Sequence, residues 1–169
     1  MTAFARRCAF LLGLFVILPQ ALVGPGARAA SSPVFTMPEI GERIIGSSTT
    51  GVALHGVDTV AYFALGKAVP GKDRYELHHA GALWRFASLA NREAFASNPD
   101  DYMPLFGGYD PVAISQGRPL AGSPEHFAVI DGKLALFASA ISRNQFVSAP
   151  GLLAQANAGW PAVAAQLAR

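Results

Sequence analysis

The sequence predicts an α+β fold, a small single domain of two hairpin-plus-helix units followed by C-terminal helices, and three observations carry that prediction. Leu83, Phe86-Ala87-Ser88, Arg92, Phe95 and Pro99 recur as Leu134, Phe137-Ala138-Ser139, Arg143, Phe146 and Pro150, each match 51 positions after its counterpart. In both copies, residues that alternate across a glycine turn precede a serine suited to cap a helix. Helices mixed with antiparallel hairpins in this order define the α+β class.

Taken in order, residues 30–50 are expected as an extended N-terminal arm, because Ser31 to Thr50 is polar, carries prolines and has no apolar period. The domain then spans 51–169. Val52-Ala53-Leu54 is expected as a short strand. A helix follows from Asp58 to Leu65, since Asp58 or Thr59 can accept from the free N–H groups of its first turn and Gly66 can end it. Tyr75 to His79 and Leu83 to Ala87 are expected to pair across Ala80-Gly81, with β-favouring Tyr, Trp and Phe among them. Ser88 caps the next helix and Pro99 closes it. A short helix is expected over Val112 to Gln116. The second hairpin joins Phe127–Ile130 to Leu134–Ala138 through Asp131-Gly132, residues that tolerate the positive φ of a tight primed turn. Ser139 caps the helix after it. Beyond Pro150, two helical stretches are expected with a break at Trp160-Pro161, because the residue before proline is disfavoured from the helical region.

Residues 1–29 have the pattern of a secretory signal peptide: Arg6-Arg7, an apolar run from Cys8 to Val23, and Ala27-Arg28-Ala29 as a small-residue cleavage site. The run is interrupted by Pro19 and is shorter than the roughly 20 apolar residues of a spanning helix, so no stable membrane span is expected after cleavage. The expected location is the periplasm or the exterior. The arginine pair partly fits the twin-arginine route, but its imperfect spacing favours ordinary secretion. Cleavage removes Arg6, Arg7 and Arg28 and leaves ten basic against eleven acidic residues, a net charge of −1. That balance gives no basis for a nucleic-acid partner. Cleavage also removes Cys8, the one cysteine, so the mature chain is expected to lack disulfides, thiolate nucleophiles and cysteine-bound metals.

Among the polar residues, Arg92 and Arg143 hold equivalent repeat positions, which favours a structural role on the helix flank. Ser88 and Ser139 are caps by the same logic. No nucleophile-elbow, phosphate-cradling or dinucleotide motif appears, and no catalytic residue is expected. His78 and His79 are strand neighbours and so point to opposite faces, which prevents joint chelation. A metal ion would have to be held by His55 and His126 with Asp110, or Asp58 in its place. Gly107-Gly108, beside Phe106 and Tyr109, lets the backbone pass close to something. Asp110 either caps the helix that Pro111 begins or faces a ligand.

Asp58-Thr59-Val60-Ala61-Tyr62-Phe63, Phe86-Ala87-Ser88 with Asn91-Arg92-Glu93-Ala94-Phe95, Asn98-Pro99, Tyr102, Gly107-Gly108-Tyr109, Asp131-Gly132-Lys133-Leu134 and Trp160-Pro161 together resemble the secreted bacterial YHS-domain proteins. The likeness runs from about Val52 to Trp160. It implies metal binding, but the positions that correspond to the cysteines of short YHS domains are Ala61, Ala87 and Asn91. Asp110 stands where the secreted branch commonly places a cysteine. A lone carboxylate is a harder, weaker ligand than a thiolate, so inherited metal chemistry would need oxygen or imidazole partners. The resulting expectation is an exported binding or accessory module for a small ligand or a periplasmic protein. Its site would lie near Asp58 and Tyr62 and the loop carrying Tyr109 and Asp110. The alternative is a copper- or zinc-handling protein using His55, Asp110 and His126.

Overall fold

The computed structural model describes residues 43–168, so the expected signal peptide, Cys8 and the arm before Arg43 lie outside the described residues. Two copies of one unit follow each other. The first comprises a 3₁₀ turn at Ala53–Gly56, helix α2 (Thr59–Leu65), strands β1 (Lys72–His79) and β2 (Ala82–Phe86), and helices α3 (Leu89–Ser97) and α4 (Pro99–Tyr102). The second repeats it as a 3₁₀ turn at Leu105–Gly108, α5 (Pro111–Ser115), β3 (Ser123–Ile130), β4 (Lys133–Phe137), α6 (Ala140–Ser148) and α7 (Gly151–Leu167). A helical turn, α1 (Ser47–Thr50), precedes both.

The two hairpins match in register. Leu77 faces Trp84 and His78 faces Leu83 in the first, as Ala128 faces Ala135 and Val129 faces Leu134 in the second. Their tight turns put Ala80-Gly81 at φ 50° and 78° and Asp131-Gly132 at φ 49° and 72°, the left-handed pair of a primed turn. Each outer strand has a register irregularity, between Lys72 and Glu76 and between Ser123 and Phe127. Beside it an arginine from the following helix donates to the strand: Arg92 Nε to the Glu76 carbonyl at 2.8 Å, and Arg143 Nε to the Phe127 carbonyl at 2.7 Å. The repeated arginines are structural fasteners. Ser88 and Ser139 accept from Asn91 N and Ser142 N, each at 3.1 Å, and cap α3 and α6.

The core is shared between the copies. Leu54, Tyr62, Trp84, Phe86 and Phe95 of the first pack with Leu134 and Leu136 of the second. Phe86 stacks on Phe95 at 5.1 Å between centroids, and Phe137 on Phe146 at 5.4 Å. A further cluster joins Ile45, Phe106, Tyr109 and Ile114 to Ala156 and Val163 of α7.

Four local expectations are corrected. The end of the arm carries the helical turn α1, and Ile44 and Ile45 are buried. Ile44 enters the first core cluster and Ile45 the second, so adjacent residues clip the two copies together. Val52-Ala53-Leu54 is not a strand: Val52 makes a single parallel bridge to Leu83, and Leu54 and His55 turn the chain at φ 49° and 54°. Pro99 does not only close α3 but opens α4, where its missing N–H costs nothing. Finally, α7 runs through Pro161 without the expected break. Leu153, Ala156, Trp160, Val163 and Leu167 form one apolar stripe in the second cluster, and that packing outweighs the lost backbone bond.

Gly107 shows what the glycine pair admits. The backbone of Arg43 crosses it so closely that a Cβ there would lie 1.7 Å from the Arg43 carbonyl oxygen, and Ile45 N donates to the Gly107 carbonyl at 3.1 Å. Gly107→Ala should therefore lower stability by about 2–4 kcal/mol, the sum of a left-handed alanine and an overpacked contact. Gly117→Ala, at φ 74° with open space around it, should cost only about 1 kcal/mol. Equilibrium denaturation of both variants checks the difference.

Candidate functional site

Both aspartates expected at a ligand site lie at helix starts in the interior, 0% and 1% exposed. Asp58 caps α2: Oδ1 accepts from Val60 N at 2.9 Å and Ala61 N at 3.3 Å. Its Oδ2 accepts from Ala87 N at 2.8 Å, where β2 ends, and from Asn91 Nδ2 at 2.6 Å, in the first turn of α3. Asp110 repeats the arrangement. Its Oδ1 accepts from Val112 N at 2.8 Å, while Oδ2 accepts from Ala138 N at 2.9 Å and Ser142 Oγ at 2.5 Å. One carboxylate in each copy thus ties a helix start, a strand end and the next helix. The chain before each is held alike, with Asp58 N donating to the Val69 carbonyl at 2.9 Å and Asp110 N to the Leu120 carbonyl at 2.8 Å.

This chemistry does not suit a cation. Every carboxylate oxygen accepts from at least one N–H or O–H donor, four for Asp58 and three for Asp110, which leaves few lone pairs for a metal. Among the described residues no three His, Cys, Asp or Glu side chains stand close enough to hold a metal ion, so His55, Asp110 and His126 do not form a ligand set. His55 is exposed on the left-handed turn, and His126 lies half-buried on β3. His79 packs edge-on against Phe95 at 5.6 Å while His78 is exposed on the other face of β1.

The two tyrosines part company. Tyr109 is buried with its ring 6.3 Å from Trp160, inside the cluster against α7. Tyr62 reaches from the first copy to the second: its ring lies 4.7 Å from Phe127, and its hydroxyl donates to the Pro124 carbonyl at 3.0 Å. Burial pushes its phenol well above the usual tyrosine range. Beside it opens a groove of about 700 Å³, walled by Tyr62 and Gly66 on one side, residues 125–130 of β3 along its length, and Ala140, Arg143 and Val147 of α6 on the other. Of the four expected ligand residues, the groove contains Tyr62.

Asn91 and Ser142, the partners of the two aspartates, were not anticipated from sequence. A signal for the paired carboxylates themselves does exist. Gly56-Val57-Asp58-Thr59-Val60-Ala61 recurs as Gly108-Tyr109-Asp110-Pro111-Val112-Ala113, 52 positions on, and extends the repeat to the carboxylates. In comparisons with known proteins, no family model, no curated protein and no solved structure matches the chain.

Two outcomes test this geometry. Asp58→Ala and Asp110→Ala each leave several buried donors without an acceptor, so each should cost about 3–5 kcal/mol in denaturant unfolding. Tyr62→Phe should cost about 1 kcal/mol at neutral pH through the lost hydrogen bond. Because the folded tyrosine ionises later than the unfolded one, its contribution holds below about pH 10 and is lost as pH rises further, so the wild type should lose its advantage over Tyr62→Phe in alkali. Melting curves of the two proteins from neutral to alkaline pH check the crossover.

Proposed function

We propose that the chain is an exported binding or accessory module of the YHS type, whose ligand, a small molecule or a periplasmic protein, occupies the groove lined by β3 and α6, with Tyr62 beneath it. The groove carries this reading. It lies where the two copies meet, and it combines apolar surface from Phe127, Val129 and Val147 with the polar groups of Glu125, His126 and Arg143. The leader-like first thirty residues support export, and the YHS-like segments support the module type.

The copper- or zinc-handling alternative loses its central ligand, because Asp110 gives both oxygens to internal donors. Asp58, Tyr109 and Asp110 enter the proposal as buried frame residues, and Tyr62, itself 2% exposed, as part of the groove's floor.

A fragment screen on the isotope-labelled chain, followed by amide chemical shifts, tests the placement. Shifts should gather on residues 125–130, Arg143 and Val147. Shifts that gather instead on the cleft formed by Arg43, Ile44, Trp84 and Met103, or nowhere, would remove the groove as the site.

A further inference from the structure

Because the two copies share one architecture, each serves as a control for the other's surface. Val129, Ile141 and Val147 are 42%, 80% and 55% exposed, three aliphatic side chains on the outer face of β3 and α6. Their counterparts 51 positions earlier are His78, Ala90 and Ala96. The first copy folds the same hairpin and helix with imidazole and methyl groups there, so folding does not require the aliphatic ones. Grouped aliphatic surface that the companion copy does without is available for a contact, although α3 carries one exposed leucine of its own, Leu89, where α6 has Ala140.

The groove beside that face has the shape of a strand's edge. Six consecutive residues, 125–130, line it, whereas one face of a strand would contribute only alternate residues. Among the described residues, β3 pairs with β4 alone. In a hairpin closed by a two-residue turn, Ile130 and Lys133 form the hydrogen-bonded pair, so the N–H and C=O of Val129 point away from β4. The Phe127 carbonyl, two residues earlier, points the same way and is met by Arg143 Nε. Arg143 has no carboxylate within ion-pair distance among the described residues, and it lines the groove. A guanidinium with no carboxylate partner among the described residues, beside a strand edge left open at Val129, is complementary to a carboxylate on an incoming chain.

We infer that the groove takes an extended peptide segment of a partner protein, which adds as a strand beside β3 at Val129, sets aliphatic side chains against Val129 and Val147, and places a carboxylate on Arg143. This mode uses main-chain hydrogen bonds for affinity and alternate side chains for specificity. It deepens the reading of the groove as the binding site and rests on it.

The test is a library of random peptides of about eight residues, the length of a strand, screened against the full exported chain. Enriched peptides should alternate aliphatic residues and carry an acidic side chain or a free C-terminal carboxylate. Their affinity should fall at least about tenfold with Val147→Glu, and likewise when alternate peptide nitrogens are methylated, but should be unchanged by Leu89→Glu on the first copy. Val147 is solvent-exposed on α6, so its variant should fold; Arg143→Gln, read with its melting temperature, provides the second arm. No enrichment, or binders indifferent to both Val147→Glu and N-methylation, would overturn the inference. If sedimentation shows a dimer that Val147→Glu dissociates, and no peptide binds, the edge pairs with a second copy and the inference also falls. If fragments shift the groove amides while peptides do not bind, the groove remains the site and the peptide alone is lost.

Discussion

One buried carboxylate in each copy holds the architecture. An ionised side chain removed from water is costly unless it is hydrogen-bonded on every side, and charge-assisted bonds are among the stronger ones a protein makes. Asp58 meets that condition with three backbone N–H groups and the Asn91 amide, and Asp110 with two backbone N–H groups and the Ser142 hydroxyl. The donors come from the helix start beside each aspartate and from the strand end and next helix about thirty residues on, so the carboxylate fixes where each hairpin ends relative to the helices on either side. The groove inherits its shape from that fixation, since its walls are α6, which begins beside the Asp110 staple, and the end of α2, which begins at the Asp58 staple.

From this common frame the copies have diverged where the frame is indifferent. The first ends in α4, a single turn whose Tyr102 packs edge-on against Phe63 at 5.4 Å and whose backbone carbonyl accepts from Thr59 Oγ1. The second extends the same position into the seventeen residues of α7, which cover α5 and bury Ile114 and Tyr109. The chain before the first copy is drawn in as well, with Ile44 and Ile45 placed one in each core cluster. What differs on the outer faces is the polarity of β3 and α6 against β1 and α3. That difference is the basis on which the β3 and α6 face is proposed as the binding surface.

Much of the fold was legible because its determinants are local. Serine caps, glycine turns and the aromatic alternation of the hairpins act within a few residues, and repetition at a constant interval doubled each signal. The misjudged elements depend on partners remote in sequence. Pro161 is tolerated because α7 lies against α5, and Ile44 and Ile45 become core because Gly107 leaves room for the arm. Asp110 was recognised as either a cap or a ligand contact from the Asp-Pro order, but its second oxygen is engaged by Ala138 and Ser142, which no local pattern announces. The groove was the least legible feature. Tyr62 is expected there as a ligand contact, His126 only as a metal candidate and Arg143 only as a structural residue, and the rest of the lining becomes conspicuous once β3 is known to be an edge strand and the counterpart residues of the first copy are set beside it.

The central claim is that the two carboxylates act as internal staples, and amide hydrogen exchange measures it most directly. The N–H groups of Val60, Ala87, Val112 and Ala138, each donating to a buried carboxylate, should exchange only with global unfolding, at the level of the best-protected core amides. Exchange of Ala87 and Ala138 as fast as that of surface amides, or loss of their protection when zinc or copper is added, would show that the carboxylates are open to solvent or ligand and would contradict the account.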